Sequence, residues 1–418
     1  MLEGIKKHLY PYLRSTEKYT KTDMVHFFVS NFWINIGRVT SIGIGMILTV
    51  AFAHLLTPEQ FGSYKYVLAA ASVVGAFTLN NMSGALMRAV AQGKQHVVPA
   101  LVRSMMLWSI PASLVATAIG GYYLFHSNNT LGYGFLFIAA FNVLSNGFGL
   151  AKSVIVAKGD FKNSFIYGLP RTAFPVVVIV GTLFFTQNIV WVLFAYFFSN
   201  AAANWAQYVW TIKRFNIRES SQDVAETLRF GKQLSILGFF IIVSGQIDQL
   251  LLFHFSGGAS LAIYALALAP VLEARNLLDN FLSILFPKLA AQSKETARKG
   301  LSLRLKQLSL IAFVMTVAYI GLVPFLFKLL FPKYLPSIMV SQILALCILF
   351  QPRGIIDTYI VAHGEIKKRY IAVLSSQAVE FVLFCTLIPF FGLWGAVWAT
   401  VLSEAGASLS LYLIYKRL

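Results

Sequence analysis

The sequence predicts an all-α polytopic membrane protein of about twelve transmembrane helices, arranged as two six-helix bundles. Its composition, its long apolar windows and an internal repeat support this prediction. Of the 418 residues, 57% are hydrophobic and only 12% are charged, which leaves too little polar surface to cover a water-soluble globule of this length. We therefore expect lipid to surround most of the chain.

Apolar windows of roughly 20 residues, the length that crosses a bilayer as a helix, recur along the chain between short polar or basic breaks. The expected spans, in order, are 31–54, 64–87, 101–125, 132–157, 164–185, 188–212, 233–256, 259–286, 305–330, 336–361, 370–390 and 393–415. The connections on one side of the membrane are very short. A membrane-embedded polymerase, ligase or glycosyltransferase would need room there for acid–base residues and an acceptor sugar.

Other chemistry is also missing from the sequence. Gly93-Lys94 and Gly231-Lys232 are each followed by Gln and lack the glycine that opens a phosphate-binding loop, so ATP hydrolysis is not expected. The seven histidines show no spacing typical of metal ligands. We expect a protein that is not an enzyme, with no catalytic residues, no cofactor and no metal.

The basic residues indicate orientation. A formal net charge of +18 could suggest a nucleic-acid partner, but most of the 34 lysines and arginines lie in the N-terminal segment, in the connections after every second helix and at the C-terminus. By the positive-inside rule, this asymmetry predicts that both termini of a multi-pass protein lie in the cytoplasm. We expect that membrane to be the bacterial inner membrane. We expect membrane lipids around the protein and no nucleic-acid partner.

The longest connection between predicted helices divides the chain into two halves of six helices each. We expect a cytoplasmic interfacial segment (1–30), an N-terminal six-helix bundle (31–212), a cytoplasmic linker (213–232) and a C-terminal six-helix bundle (233–418). The two halves resemble one another at an offset of 200 residues, where Tyr64 falls on Tyr264 and Asn80 on Asn280. Units with an even number of helices share one orientation, so the pattern predicts a pseudo-twofold axis along the membrane normal and a central cavity.

Three basic residues lie inside predicted first-half helices: Arg38, Lys152 and Arg171. A charge at the bilayer centre costs roughly 2.5–3.5 kcal/mol, and no acidic residue of a first-half helix is available to neutralise them. We interpret the three as candidates for binding an anionic head group. The alternative for Lys152 is that it extends its ammonium to the nearby interface. Polar residues such as Asn204 could line the same cavity or join helices.

Every intramembrane carboxylate falls in the second half. The spacing of four residues predicts structural ion pairs between Arg275 and Asp279 and between Arg353 and Asp357, each along one helix face. The remaining acids are candidates for binding a coupling proton or cation: Asp248, Glu273, Glu380 and Glu404. Alternatively, some are protonated by burial or join helices through hydrogen bonds.

Two motifs support a family resemblance. Leu56-Thr57-Pro58-Glu59-Gln60-Phe61-Gly62-Ser63-Tyr64 resembles the signature of the Wzx-type O-antigen and polysaccharide flippases of the multidrug/oligosaccharidyl-lipid/polysaccharide (MOP) exporter superfamily. Asp248-Gln249-Leu250-Leu251-Leu252, followed by Ala262-Ile263-Tyr264, resembles the second-half counterpart, with Ala262 where the pattern usually has Gly.

The resemblance implies two bundles that work by alternating access. The implied substrate is an undecaprenyl-pyrophosphate-linked oligosaccharide, an O-antigen or capsular repeat unit, which would be moved to the outer face. Whether the protein works alone or beside a polysaccharide polymerase and a chain-length regulator stays open. The alternatives are a cation-coupled exporter of small drugs on the same fold, a membrane-embedded polymerase or ligase, and a flippase of peptidoglycan precursor.

Overall fold

The computed structural model describes residues 24–290, 294–364 and 366–416, and helices dominate these ranges. The interfacial segment expected over residues 1–30 lies outside them up to residue 23. Helices α1 to α14 are, in order, Met24–Leu55, Pro58–Ala76, Met82–Ala91, Val98–Phe125, Asn129–Gly149, Ala151–Ala157, Phe161–Phe185, Ile189–Arg214, Val224–Ala290, Lys294–Leu330, Ser337–Leu344, Leu346–Leu349, Gly354–Ala362 and Ile366–Lys416. No strand occurs in the described ranges.

Two of these helical stretches reverse direction at a glycine. Gly257 in α9 (φ 76°, ψ 178°) and Gly392 in α14 (φ 54°, ψ −126°) have backbone angles that glycine adopts without steric cost. The reversal in α9 brings the Tyr264 hydroxyl to 2.9 Å from a carboxylate oxygen of Asp248, 16 residues away. A straight helix would separate these positions by about 24 Å, so α9 contains two antiparallel spanning helices.

Nine helical stretches of the described chain are long and apolar enough to cross a bilayer. The two that reverse each count as two crossings. Helices α2 and α3, separated by the irregular residues 77–81, supply one more. The described helices therefore agree with the expectation of about twelve spans, and the all-α polytopic fold is confirmed.

The chain forms two compact units. Unit one contains the described residues up to Ala51 together with Val74–Phe239, and unit two contains Phe52–Val73 with the described residues from Phe240 onward. The end of α1 and most of α2 thus belong to unit two, and the first part of α9 belongs to unit one. The sequence-based bundles, 31–212 and 233–418, stay a prediction about the repeat.

The core of unit one fixes the linker. Met82, Leu101 and Val154 are fully buried where α3, α4 and α6 meet, and Ile217 of the linker packs in the same cluster. The Lys94 ammonium lies 2.9 Å from a carboxylate oxygen of Asp223, and its hydrogen bond lowers the pKa of the Asp223 carboxyl below the ordinary value. The linker is therefore a docked segment of unit one and not a free tether.

The irregular segment between α2 and α3 is stabilised by α9. The Asn81 backbone N–H donates to the Ser235 hydroxyl at 3.2 Å, and its side-chain amide donates to the Leu234 carbonyl at 3.0 Å. Gly238 makes room for this contact, because a Cβ there would come within 2.4 Å of the Asn81 amide nitrogen. Backbone groups freed by a helix break inside a membrane need such partners.

In unit two, α2 packs closely on α9 around its reversal at Gly257. The rings of Tyr66 and Phe253 stack with centroids 4.2 Å apart. Nearer the reversal, a Cβ added to Gly62 would lie only 1.8 Å from the Gly258 carbonyl oxygen. The obstacle is backbone, which cannot rotate away as a side chain would, so this approach requires glycine at position 62.

We therefore expect Gly62→Ala to destabilise the protein by about 1–3 kcal/mol, the usual cost of overpacking. Thermal unfolding of the purified protein in detergent measures this. The matched control is Gly245→Ala, since a Cβ at Gly245 of α9 meets no atom within 4 Å. Equal stability of the two variants would contradict the close approach at Gly62.

Candidate substrate-binding site

Helices α1, α6, α7 and α8 of unit one enclose a cavity of about 420 Å³, which we call the cationic cavity. It lies toward the end of the unit formed by the α6–α7 turn and the linker, because its residues come from the first turns of α7 and the last turns of α6 and α8. Its volume is within the range of about 300–1,000 Å³ typical of small-molecule sites. Its lining includes Trp33, Arg38, Lys152, Phe165, Arg171 and Gln207.

All three basic residues expected to bind an anion line this one cavity, although they come from α1, α6 and α7. Among the described residues that line it, none is a carboxylate. Lys152 and Arg171 are close enough to interact electrostatically, and two like charges repel. Such an arrangement is stabilised when an anion enters, because it neutralises charges that otherwise face one another in a low dielectric.

Arg171 is held in a fixed orientation. Its Nη1 donates to Asn204 Oδ1 at 3.1 Å, and the Asn204 amide donates to the Ser145 carbonyl at 3.4 Å. Asn204 thus joins α7, α8 and α5, which answers the question that the sequence left open for this residue. The Arg171 Nε atom is buried and has no hydrogen-bond partner in the described chain.

Aromatic side chains form part of the cavity wall and could not be singled out from the sequence. The rings of Trp33 and Phe165 lie 5.5 Å apart, and Gly37 lets α1 approach, since a Cβ there would be 3.3 Å from the Phe165 ring. In a chain that is 15% aromatic, such residues carry no signal of their own.

Several charged residues of unit two form ion pairs with one another. Glu404, whose side chain is 14% exposed, lies 2.6 Å from Arg275 and 2.6 Å from Arg353. We call these three residues the arginine–glutamate cluster. It joins α14 to α9 and to the turn before α13, so that one carboxylate serves two guanidinium groups.

This cluster differs from the ion pairs expected along single helix faces. Arg353 lies at the end of a 3₁₀ turn, Gln351–Arg353, directly before α13, and its guanidinium pairs with Glu404 of α14 and not with Asp357. Asp357 instead pairs with Arg369 at 2.8 Å. Nor is Arg275 seen paired with Asp279. Its Nε donates to Gln351 at 3.1 Å, and the Gln351 amide donates in turn to Asp279.

The four candidates for ion coupling occupy different surroundings. Asp248 is buried: Tyr264 donates to its Oδ2 at 2.9 Å, and its Oδ1 has no hydrogen-bond partner in the described chain. Glu380 accepts from Gln377 at 3.2 Å. Glu273 is exposed, and Asn276 lies 3.5 Å from its carboxylate. Glu404 is neutralised in the arginine–glutamate cluster.

Residues 29–292 match the model of a family described as polysaccharide biosynthesis protein. The chain belongs to this family. A comparison with curated proteins gives no sequence match. The family match confirms the resemblance that the segment Leu56–Tyr64 suggested.

Solved structures of MOP superfamily transporters share the fold. One is a lipid II flippase, MurJ, in an inward closed conformation (TM-score 0.69, 14% identity, 93% of this chain and 87% of that chain). Another is an inward-facing multidrug resistance transporter of the MATE family (0.63, 14%, 90% and 93%). A third is a MOP transporter from Pyrococcus furiosus, described by a reversed polarity of its binding pocket (0.62, 12%, 93% and 95%). These neighbours are transporters and flippases, and the chain is a multi-pass membrane protein of their fold.

Since Glu404 is the carboxylate that two arginines share, we expect Glu404→Gln to lower the stability of the protein. The expected loss is about 3 kcal/mol, at the lower end of the range for breaking a buried ion pair. Chemical or thermal denaturation in detergent measures it. Glu273→Gln is the control, because it removes the same charge from an exposed position, and an equal effect of both variants would argue against the cluster.

Proposed function

We propose that this protein flips a lipid-linked oligosaccharide across the bacterial inner membrane. The substrate would be an undecaprenyl-pyrophosphate-linked repeat unit of an O-antigen or capsular polysaccharide. With both termini in the cytoplasm, the substrate enters the cationic cavity from the cytoplasmic side and leaves at the outer face. A polysaccharide polymerase and a chain-length regulator would then act on the product.

The observation that carries this proposal is the convergence of Arg38, Lys152 and Arg171 on one cavity whose described lining holds no acid. Guanidinium groups match phosphate oxygens in geometry and charge. The aromatic faces of Trp33 and Phe165 beside them offer flat apolar surfaces on which a sugar ring can pack. A pyrophosphate joined to a sugar needs both features.

The direction of transport agrees with the membrane potential. An inside-negative potential contributes about 2.3 kcal/mol per charge per 100 mV, so the outward movement of an anion is favoured. Ion coupling would add to this. Asp248 is the best placed of the four acids, since one of its carboxylate oxygens is buried and without a partner in the described chain.

The second candidate function is a cation-coupled exporter of small drugs. The structural similarity to a MATE-family multidrug transporter suggests this alternative. A site for cationic drugs would be expected to place acidic residues in the cavity. The described lining of the cationic cavity has the opposite charge, which favours the anionic substrate.

Reversing a charge in the cavity tests the proposal. Deleting the gene should trap polyprenyl-linked repeat units on the cytoplasmic face, and the wild-type gene should restore their delivery to the outer face. We expect Arg38→Glu and Arg171→Glu to lower this delivery by about tenfold or more, because each puts a repelling charge beside the pyrophosphate in a low dielectric.

The matched control is Lys162→Glu, an exposed charge reversal on α7 that lies outside the cavity lining. Its delivery should equal that of the wild type. Delivery that persists without the gene would refute the flippase proposal. A wild-type rate of delivery in both arginine variants would show that the cationic cavity does not bind the substrate.

Coupling is tested separately at Asp248. Asp248→Asn keeps an acceptor for the Tyr264 hydroxyl but removes the negative charge, so the fold should persist while ion binding is lost. In proteoliposomes, an imposed proton or sodium gradient should accelerate transport by the wild type and by Glu59→Gln, an exposed carboxylate variant. It should not accelerate Asp248→Asn, and acceleration of that variant would exclude Asp248 from coupling.

A further inference from the structure

A second cavity, of about 520 Å³, opens between α7 and α8 next to the cationic cavity. We call it the aromatic groove. Ala202, Ala203 and Ala206 of α8 form its floor, and Tyr167, Phe174, Trp205 and Trp210 form its walls. Phe174 and Trp205 are 45% and 55% exposed, so the groove opens on the surface of the unit.

The two cavities are continuous. Arg171 and Gln207 line both of them. Arg171 therefore lies where the charged space meets the apolar space. The rings of Tyr167 and Trp210, with centroids 3.8 Å apart and planes tilted by 30°, lie on the linker side of this junction.

The depth of Arg171 makes such a groove necessary for a lipid substrate. Arg171 lies ten residues after Phe161, the start of α7, which corresponds to about 15 Å along the helix. A phosphate bound at this depth is far below the level where lipid head groups ordinarily sit. The hydrocarbon chain attached to it must therefore begin beside α7 and α8, at the level of the groove.

The groove continues along α7 toward the other side of the membrane. Tyr167, Arg171, Phe174, Val178, Gly181 and Phe185 recur at helical spacing and share one face of the helix. The last three line a further shallow cavity with the start of α8. From Tyr167 to Phe185 this face is about 27 Å long, close to the hydrocarbon thickness of about 30 Å.

From this arrangement we infer that the aromatic groove binds the isoprenoid chain of a polyprenyl pyrophosphate while its phosphates lie at Arg171. This inference rests on the proposed function and adds a binding site for the tail. The charge favours this occupant over an ordinary phospholipid, because a sugar-linked pyrophosphate brings one more negative charge than a phosphodiester to three cations. The aromatic walls suit a branched chain, whose methyl groups pack against ring faces.

Binding of defined probes to the full-length protein in nanodiscs tests the inference. The tailed probe is undecaprenyl pyrophosphate, the short probe is isopentenyl pyrophosphate, and the comparison lipid is phosphatidylglycerol. Native mass spectrometry or Trp fluorescence can report the Kd. Ala206→Trp fills the floor of the groove without touching the charges. It should weaken binding of the tailed probe by about tenfold or more and leave the short probe unchanged within about twofold.

Two variants accompany Ala206→Trp. Ala118→Trp, on an exposed position of α4 that lines neither cavity, is the control and should bind both pyrophosphates as the wild type does. Trp205→Ala removes a wall of the groove and adds no volume. It tests the groove even if the larger side chain of Ala206→Trp disturbs folding. We expect Trp205→Ala to weaken binding of the tailed probe several-fold.

The outcomes separate the groove from the proposed function. If Arg171→Glu weakens binding of both pyrophosphates while the groove variants weaken binding of neither, the head-group site is supported and the tail site is refuted. If Ala206→Trp displaces phosphatidylglycerol as strongly as the tailed probe, the groove is an ordinary lipid contact and the inference fails. If the wild type binds neither pyrophosphate better than phosphatidylglycerol, the proposed function fails together with it.

Discussion

Charge in a low-dielectric environment is the constraint on which this structure depends. A charged side chain within the bilayer must find a partner, water or a ligand, and the two units answer this differently. In unit two, Glu404 joins Arg275 and Arg353, and Asp357 joins Arg369. In unit one, Arg38, Lys152 and Arg171 face one cavity without a carboxylate in its described lining. Ion pairs in unit two hold helices together, whereas the three basic residues of unit one gather around a cavity, which is why we propose a substrate role for them.

Much of the fold follows from the sequence because lipid imposes length and polarity on every crossing. The spans, the all-α class and the three residues of the cationic cavity could be chosen from apolar windows and from charges that interrupt them. The family motifs pointed to the same fold. These features depend on one helix at a time, which is the level at which sequence patterns are informative.

Partners across helices could not be read in the same way. The expected pairing of Arg353 with Asp357 considered one helix only, whereas Glu404 and Arg369 of α14 take these two side chains as partners. Glu404 is 51 residues from Arg353, and no periodicity links positions that meet only through tertiary packing. The aromatic groove is similar: its alanines and tryptophans look like any membrane helix until α7 and α8 are placed side by side.

The boundary between the units does not coincide with the middle of the sequence. Phe52–Val73 comes from the first half of the sequence but packs within unit two, and the part of α9 up to Phe239 packs within unit one. A chain cut in the linker would therefore give two fragments, neither of which contains all of one unit. The two compact units cannot be obtained as separate proteins by dividing the chain at its longest connection.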